Sequence, residues 1–183
     1  MLCGEGALPI RYGCLDESRF GLKTIPRRRI TPSGTKPLGP VQWRFEAFYL
    51  YGAVEPMTGE SFFLEFTHSD STCFEVYLEQ LAQHYPHQLH VIQLDQGSLH
   101  PAKTLQLPDH VVLLFQPPHS PQLNPIEQLW QHLKDHLSWQ IFDRLDDLRE
   151  VLSERLKALT SAVIASLTGY DFILSALGNA NIY

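Results

Sequence analysis

The pattern of apolar and polar positions predicts five β-strands. Aromatic and β-branched runs mark the first three, and two short, almost continuous apolar runs are typical of strands that are covered on both faces. In chain order the strands are predicted at 11–15, 44–54, 61–66, 89–94 and 110–115. Asp16 ends the first strand, and a turn at Thr58 and Gly59 joins the second and third strands as an antiparallel hairpin.

Apolar residues that recur every three or four positions predict helices between and after these strands. The predicted helices are 72–85, a helix that begins after Asn124, a helix that Asp143 opens, and 161–167. The segment 101–108 has room for a short helix or a turn. Three strands in a meander, a helix, two buried strands and then further helices predict an α/β fold with one mixed five-stranded sheet.

The stretch PPHSPQLNPIEQLWQHLKDHL defines the start of one helix closely. Asn124 is a good N-cap, Pro125 suits the first helical position, and Glu127 follows at the third. Glu127 and Lys134 then fall together at the edge of the apolar stripe of this helix. The stripe consists of Ile126, Leu129, Trp130, Leu133 and Leu137. A glutamate at the third position also commonly closes a capping box, so its position alone does not establish chemistry.

Composition indicates a globular chain of the size of one domain. The 183 residues are 44% hydrophobic and 19% charged, which excludes an intrinsically disordered chain. Cys3, Cys14 and Cys73 form no CxxC pair, and their odd number argues against a disulfide framework. No apolar run is long enough to span a bilayer, and the first ten residues lack the pattern of a signal peptide. We therefore expect a cytoplasmic protein with no membrane partner.

The net charge of −6 conceals a basic segment at 18–45, which carries seven basic side chains and no acidic one. These are Arg19, Lys23, Arg27, Arg28, Arg29, Lys36 and Arg44. Such a segment, punctuated by proline and glycine, is either a solvated loop that keeps the chain soluble or a loop that contacts phosphate. The charge pattern leaves both interpretations open.

Three carboxylates are expected to meet at one edge of the predicted sheet. Asp16 ends the first strand, Asp95 ends the fourth, and Glu127 begins a helix beside the same edge. Three acids this close cannot all stay ionised at low cost unless cations lie among them. Oxygen ligands suit Mg²⁺ or Mn²⁺, and two such ions about 4 Å apart catalyse phosphoryl transfer at a phosphodiester.

The sequence resembles the bacterial insertion-sequence transposases of the mariner-related branch of the DDE superfamily. The blocks that carry the resemblance are DESRFGL around Asp16, RRRITPSGTKP, YGAVEPMTGE, LDQGSLH around Asp95, and PPHSPQLNPIEQLW around Glu127. The resemblance implies a ribonuclease-H-like fold in which Asp16, Asp95 and Glu127 are catalytic and bind two Mg²⁺ or Mn²⁺ ions. It also implies cleavage of DNA at the ends of a mobile element, followed by strand transfer into target DNA.

The resemblance also suggests roles for residues around the triad. Gln96, His100 and Asn124 are expected to support the three acids, although Gln96 stands where the family usually has Asn. The 31 residues between Asp95 and Glu127 are slightly few for the family. His100 and His119 are not expected to bind the ions, because imidazole is a poor ligand for Mg²⁺. The expected DNA contacts are Arg19, Lys23, Arg27, Arg28, Arg29, Lys36 and Lys134.

We expect residues 1–183 to form a single catalytic domain, with the sheet and the Glu127 helix in 10–140 and further helices in 141–183. Only fifteen residues precede Asp16, so a helix-turn-helix domain is expected to be absent and to come, where needed, from a separately encoded chain. The expected partners are the terminal inverted repeats and target DNA at the nucleoid, bound by a homodimer. Two alternatives stay open: an inactive remnant that only binds nucleic acid or dimerises, and a nuclease of this fold unconnected with transposition.

Overall fold

A computed structural model describes residues 8–28, 30–95, 105–118, 120–180 and 182 of the chain. The strands in this part are β1 (Ile10–Gly21), β2 (Ala47–Val54), β3 (Ser61–Phe66), β4 (Leu89–Leu94) and β5 (Val111–Phe115). The α-helices are α1 (Ser71–His84), α2 (Ile126–His136), α3 (Leu145–Ala158), α4 (Ser161–Thr168) and α5 (Asp171–Asn179). A short 3-10 helix at Pro121–Leu123 directly precedes α2.

The strands form one sheet in the order β3-β2-β1-β4-β5. β1, β2 and β3 are antiparallel to their neighbours in this meander, whereas β4 is parallel to β1 and β5 is parallel to β4. The prediction of a mixed five-stranded sheet is therefore confirmed. The hairpin turn between β2 and β3 is also confirmed, with Gly59 at a φ of 74° that glycine adopts without steric cost.

Side chains of β1 alternate between two apolar layers, as the period of a strand requires. Cys14 and Phe20 pack with α2 and with the helices that follow it, while Leu15 packs on the opposite face of the sheet with α1. The predicted apolar stripe of α2 is confirmed, because all five of its members are at most 2% exposed. The central strands are thus covered on both faces, and α2 lies directly against β1 and β2. The expectation of cover on both faces is wrong for β5, because this strand lies at the edge of the sheet and its Val112, Leu114 and Phe115 are 45–50% exposed.

Several details of the predicted elements are wrong, and one of them is the start of β2, which lies at Ala47 and not at residue 44. β1 does not end at residue 15 but continues to Gly21, because β2 pairs with it along that whole length, so that Asp16 lies inside the strand. Asp143 does not open α3. The N-cap is the next residue, Arg144, whose backbone N–H donates to the Asp147 carboxylate at 3.0 Å, and the helix itself starts at Leu145. The helix α5 was not predicted at all.

None of the helices in the described residues is by itself long and apolar enough to cross a membrane. Taken together, α4 and α5 reach the required length and composition, but a bend of 98° separates them. Ile164 of α4 and both Ile173 and Leu177 of α5 lie in the core cluster beside α2. Their apolar character is therefore accounted for by packing within the fold.

Candidate active site

The register of the two central strands brings Asp16 and Asp95 to the same level. β1 and β4 are parallel neighbours in which Cys14 pairs with Gln93, and two residues further along each chain stand Asp16 and Asp95. The Gln93 side chain bonds to the loop in front of α2, so the face of the sheet on which Gln93 and Cys14 lie is the face that α2 covers. Both carboxylates therefore point to the side of the sheet from which Glu127 approaches.

The three acids lie close enough for their charges to affect one another. Burial is the main cause that raises the pKa of Asp16 well above its usual value, and the negative charges of Glu17, Glu127 and Asp95 raise it further. Desolvation also raises the pKa of Glu127, and the charge of Asp95 adds to this effect. The Lys134 ammonium acts in the opposite direction on Glu127. Excess negative charge at one place favours a bound cation.

Trp130 holds one oxygen of Asp16. Its indole N–H donates to Asp16 Oδ2 at 3.0 Å, and its ring is only 2% exposed. The ring fits there because the partner of Asp16 on β2 is Gly52, where a Cβ would come within 2.7 Å of the indole. The sequence placed Trp130 only in the apolar stripe and missed this role. The available signal was that Trp130 is the one member of that stripe with a hydrogen-bond donor on its side chain.

Two buried amides fix the start of α2 against the strands that carry the aspartates. Asn124 Nδ2 donates to the Leu15 carbonyl at 2.9 Å, one residue before Asp16. Gln93 Nε2 donates to the Leu123 carbonyl, also at 2.9 Å, two residues before Asp95. Glu127 is thereby held at a fixed place relative to both aspartates. The sequence analysis did not identify Gln93. The only signal available was a polar residue within the otherwise apolar run of β4.

The prediction that Asn124 caps α2 is wrong. No side-chain cap bond is formed at this helix start, and the first turn instead closes through the Asn124 backbone carbonyl, which accepts from the Glu127 N–H at 3.2 Å. The side chain is turned inward, with the residue only 2% exposed. The reason is that Leu15 follows the last residue of β1 that pairs with β4, so its carbonyl takes the Asn124 amide as a partner.

The donor set of this site suits a hard divalent cation. Asp16, Asp95 and Glu127 offer carboxylate oxygens, which are the ligands that Mg²⁺ and Mn²⁺ prefer. Asp16 is half-buried and Glu127 is exposed at the rim, so the site is open to solvent on one side. Desolvation, and after it the neighbouring negative charges, raise the pKa of both Asp16 and Glu127, and a bound cation would offset this cost.

The basic segment 18–45 begins within β1, which carries Arg19, and continues through the connection to β2, and several of its charges are engaged. Arg27 pairs with Asp135 of α2 at 2.7 Å, and Arg19 donates to the Phe45 carbonyl at 2.7 Å. The ammonium of Lys23 lies 4.6 Å from the centre of the exposed Trp43 ring. The remaining predicted contacts in the described residues are Arg28 and Lys36, which are exposed, and Lys134, which is half-buried.

Lys134 is a predicted DNA contact that interacts electrostatically with two of the acids. The carboxylates of Glu127 and Asp16 both act on its charge, and its ammonium lies 5.7 Å from the centre of the Phe20 ring. Burial nevertheless lowers the pKa of Lys134 below its usual value. Four residues of the prediction fall outside the described residues. These are Arg29, Gln96, His100 and His119.

Comparison with known proteins places the chain in a family. Residues 11–149 match the DDE superfamily endonuclease family, and this range contains all three acids. The protein called uncharacterized protein y4pE/y4sA of Sinorhizobium fredii is 36% identical over 102 residues, which are 55% of this chain and 76% of that protein.

Solved transposase structures share the fold. The Mos1 strand transfer complex has a TM-score of 0.65 at 14% identity, over 87% of this chain and 51% of that chain. The mariner Mos1 paired-end complex with Mg has a TM-score of 0.62 at 16% identity, over 86% and 51%. This chain thus spans about half the length of those transposase chains. The predicted ribonuclease-H-like fold is confirmed, and by its family match the chain belongs to the DDE superfamily endonucleases.

Proposed function

We propose that this chain is the catalytic domain of a transposase, which cuts DNA at the ends of a mobile element and joins the cut strand to target DNA. The observation that carries the proposal is the meeting of Asp16, Asp95 and Glu127 in a chain that belongs to the DDE superfamily endonucleases. The solved structures of similar fold support the same reaction class, since they are a strand transfer complex and paired-end complexes with Mg and with Mn.

In this proposal the three acids hold two divalent ions, Mg²⁺ or Mn²⁺. Ions of this kind activate an attacking oxygen and stabilise the leaving oxygen of a phosphodiester. The part of the protein is to keep the acids in register, because phosphoryl transfer depends mainly on positioning and on charge stabilisation. Trp130 orients Asp16, and Asn124 with Gln93 keeps the Glu127 helix against both strands.

In this proposal DNA lies along the basic residues beside the three acids. Lys134 presents a positive charge beside Asp16 and Glu127, where a phosphate of the reacting strand lies. Arg28 and Lys36 are exposed, and Lys23 stands beside the exposed ring of Trp43, a combination that suits backbone phosphate together with an unpaired base. Arg19 and Arg27 complete the surface, although Arg27 must exchange Asp135 for phosphate to take part. Arg29 is proposed as a further DNA contact from the sequence alone.

The assembly follows from the same proposal. Residues 1–183 act as one catalytic domain, with the sheet and α2 within 10–140 and the last helices within 141–183. A homodimer holds the two terminal inverted repeats and the target DNA at the nucleoid, and a separately encoded helix-turn-helix domain recognises the repeats. Gln96 and His100 support the acids from the segment that follows Asp95.

Nicking of plasmid DNA that carries the sequences flanking the gene tests the proposal. The wild-type chain should nick it with Mn²⁺ or Mg²⁺ and not with EDTA, and Asp95→Asn should abolish nicking while DNA binding persists. Asp109→Asn is the matched control, since it removes an exposed carboxylate just before β5 and should leave nicking unchanged. DNA binding without nicking by the wild-type chain would indicate the inactive remnant, and equal nicking by Asp95→Asn would disprove the triad.

A further inference from the structure

A second group of potential metal ligands lies at the junction of β3 and α1. His68, Asp70 and Cys73 each offer one ligand atom, and these atoms all lie within 4.8 Å of one another. Cys73 is buried in the apolar layer beneath α1, whereas His68 and Asp70 are exposed to solvent. This layer is on the opposite face of the sheet from Asp16, so the group is separate from the candidate active site.

Local hydrogen bonds already orient these side chains. One carboxylate oxygen of Asp70 accepts the Cys73 backbone N–H at 2.8 Å and caps α1. The other oxygen lies 3.2 Å from Nε2 of His68. The second nitrogen of that ring, Nδ1, lies 2.9 Å from the Thr67 hydroxyl. Ser69, between the two ligands, is held by a 2.8 Å hydrogen bond to the hydroxyl of Tyr51. The turn therefore presents its ligands in one arrangement before any ion arrives.

We propose that His68, Asp70 and Cys73 bind a divalent ion of the zinc class. Imidazole nitrogen, thiolate sulfur and carboxylate oxygen are the three ligand types of tetrahedral zinc sites. Two light ligand atoms on one such ion stand roughly 3.4 Å apart at zinc bond lengths, close to the 3.2 Å between His68 and Asp70. The Thr67 hydroxyl at the far nitrogen can accept the N–H that a metal-bound imidazole carries there, as a water molecule does in other metal sites.

Charge and ligand type both favour such an ion over magnesium. The thiolate and the carboxylate together neutralise a divalent ion, so that the buried side of the site carries no net charge. Sulfur and nitrogen ligands select zinc, cobalt or nickel, whereas Mg²⁺ requires oxygen ligands. Three protein ligands leave a fourth position for water. Bound there, the ion ties the end of β3 to the start of α1 and stabilises that side of the sheet.

Cobalt titration of the metal-free chain tests the proposal. Co²⁺ should give a thiolate-to-cobalt charge-transfer band, which Zn²⁺ then removes by displacement. A saturating excess of Zn²⁺ should raise the melting temperature by on the order of 5 °C. Cys73→Ser should abolish the band. Asp70→Ser keeps an N-cap but removes the carboxylate, and should weaken binding at least about tenfold.

Controls are available within the chain. His132 and His136 stand one turn apart on α2, with ring centroids 4.5 Å apart, and are a second place where an exposed ion could bind. His136→Gln should therefore leave the charge-transfer band and the Zn²⁺ shift unchanged, while His68→Gln should reduce both. His68 is exposed, so its replacement does not threaten the fold. A wild-type chain without the band, a band that persists in Cys73→Ser, or equal behaviour of the two histidine variants would overturn the proposal.

Discussion

Asn124 decides whether the start of α2 is fixed by a helix cap or by a bond to the sheet. Replacement by Ser, Asp and Ala separates the two. Capping side chains rank Asn, Asp and Ser together and well above Ala, so a cap would be lost only in Asn124→Ala. The bond from Asn124 Nδ2 to the Leu15 carbonyl needs an amide donor of this length, so all three replacements should remove it.

The structure sets the size of the effect. The residue is 2% exposed and its bond is 2.9 Å long, so its loss leaves a buried carbonyl unpaired at a cost of about 1–3 kcal/mol. Asn124→Ser and Asn124→Ala should each lose about 2 kcal/mol of the free energy of unfolding. Asn124→Asp should lose more, because it places a carboxylate against the Leu15 carbonyl and close to Asp16. Metal-dependent nicking should fall in all three, since Glu127 depends on this bond for its position.

Urea unfolding in EDTA measures these differences, provided that the slope with denaturant stays constant. Asp70 is the matched control because it does cap its helix: Asp70→Ser should be nearly neutral, whereas Asp70→Ala should be measurably less stable than the wild type. If Asn124→Ser proves as stable as the wild type while Asn124→Ala does not, the capping interpretation is right and the bond to Leu15 does not fix the start of α2.

Three further predictions concern the surroundings of the acids. Trp130→Phe should lose about 1–3 kcal/mol of unfolding free energy, because it leaves a buried oxygen of Asp16 unpaired, and should weaken Mn²⁺ binding measured by calorimetry. Trp139→Phe, which loses a bond to a backbone carbonyl, should leave Mn²⁺ binding unchanged. Asp16→Asn should raise the melting temperature without metal at neutral pH and should remove the stabilisation by Mg²⁺. Because the pKa of Asp16 is raised in the folded chain, the stability that this residue contributes is fully present below its usual pKa of 3.8 and is lost as the pH rises through the raised value. Equal pH profiles of the two proteins would contradict the prediction. Gly52→Ala should cost about 1–3 kcal/mol in urea unfolding because its Cβ meets the Trp130 ring, whereas Gly178→Ala, with open space around it, should not destabilise the chain.

Much of the fold was predictable because it depends on periodicity. The stripe of α2, the hairpin at Gly59 and the apolar runs of β4 and β5 follow from side-chain periods that operate within a few residues. The three acids were also identifiable from the sequence, because Asp95 follows a strand and Glu127 begins a helix, although Asp16 was predicted at the end of a strand and lies inside β1. Boundaries were predicted less well. β1 extends beyond Leu15 only because β2 pairs with it, and its own sequence does not encode that partner.

The sequence by itself determined which residues form strands and helices and which acids the chain can offer to a metal ion. The tertiary structure alone decided how those acids are held. Asn124 bonds to a residue 109 positions away, and Trp130 bonds to Asp16 across 114 positions. Local propensity predicts that Asn124 is a helix cap and that Trp130 is a core residue. The partners that overrode or extended those roles become neighbours only when the sheet closes against α2, and a pattern read along the chain contains no information about such distances.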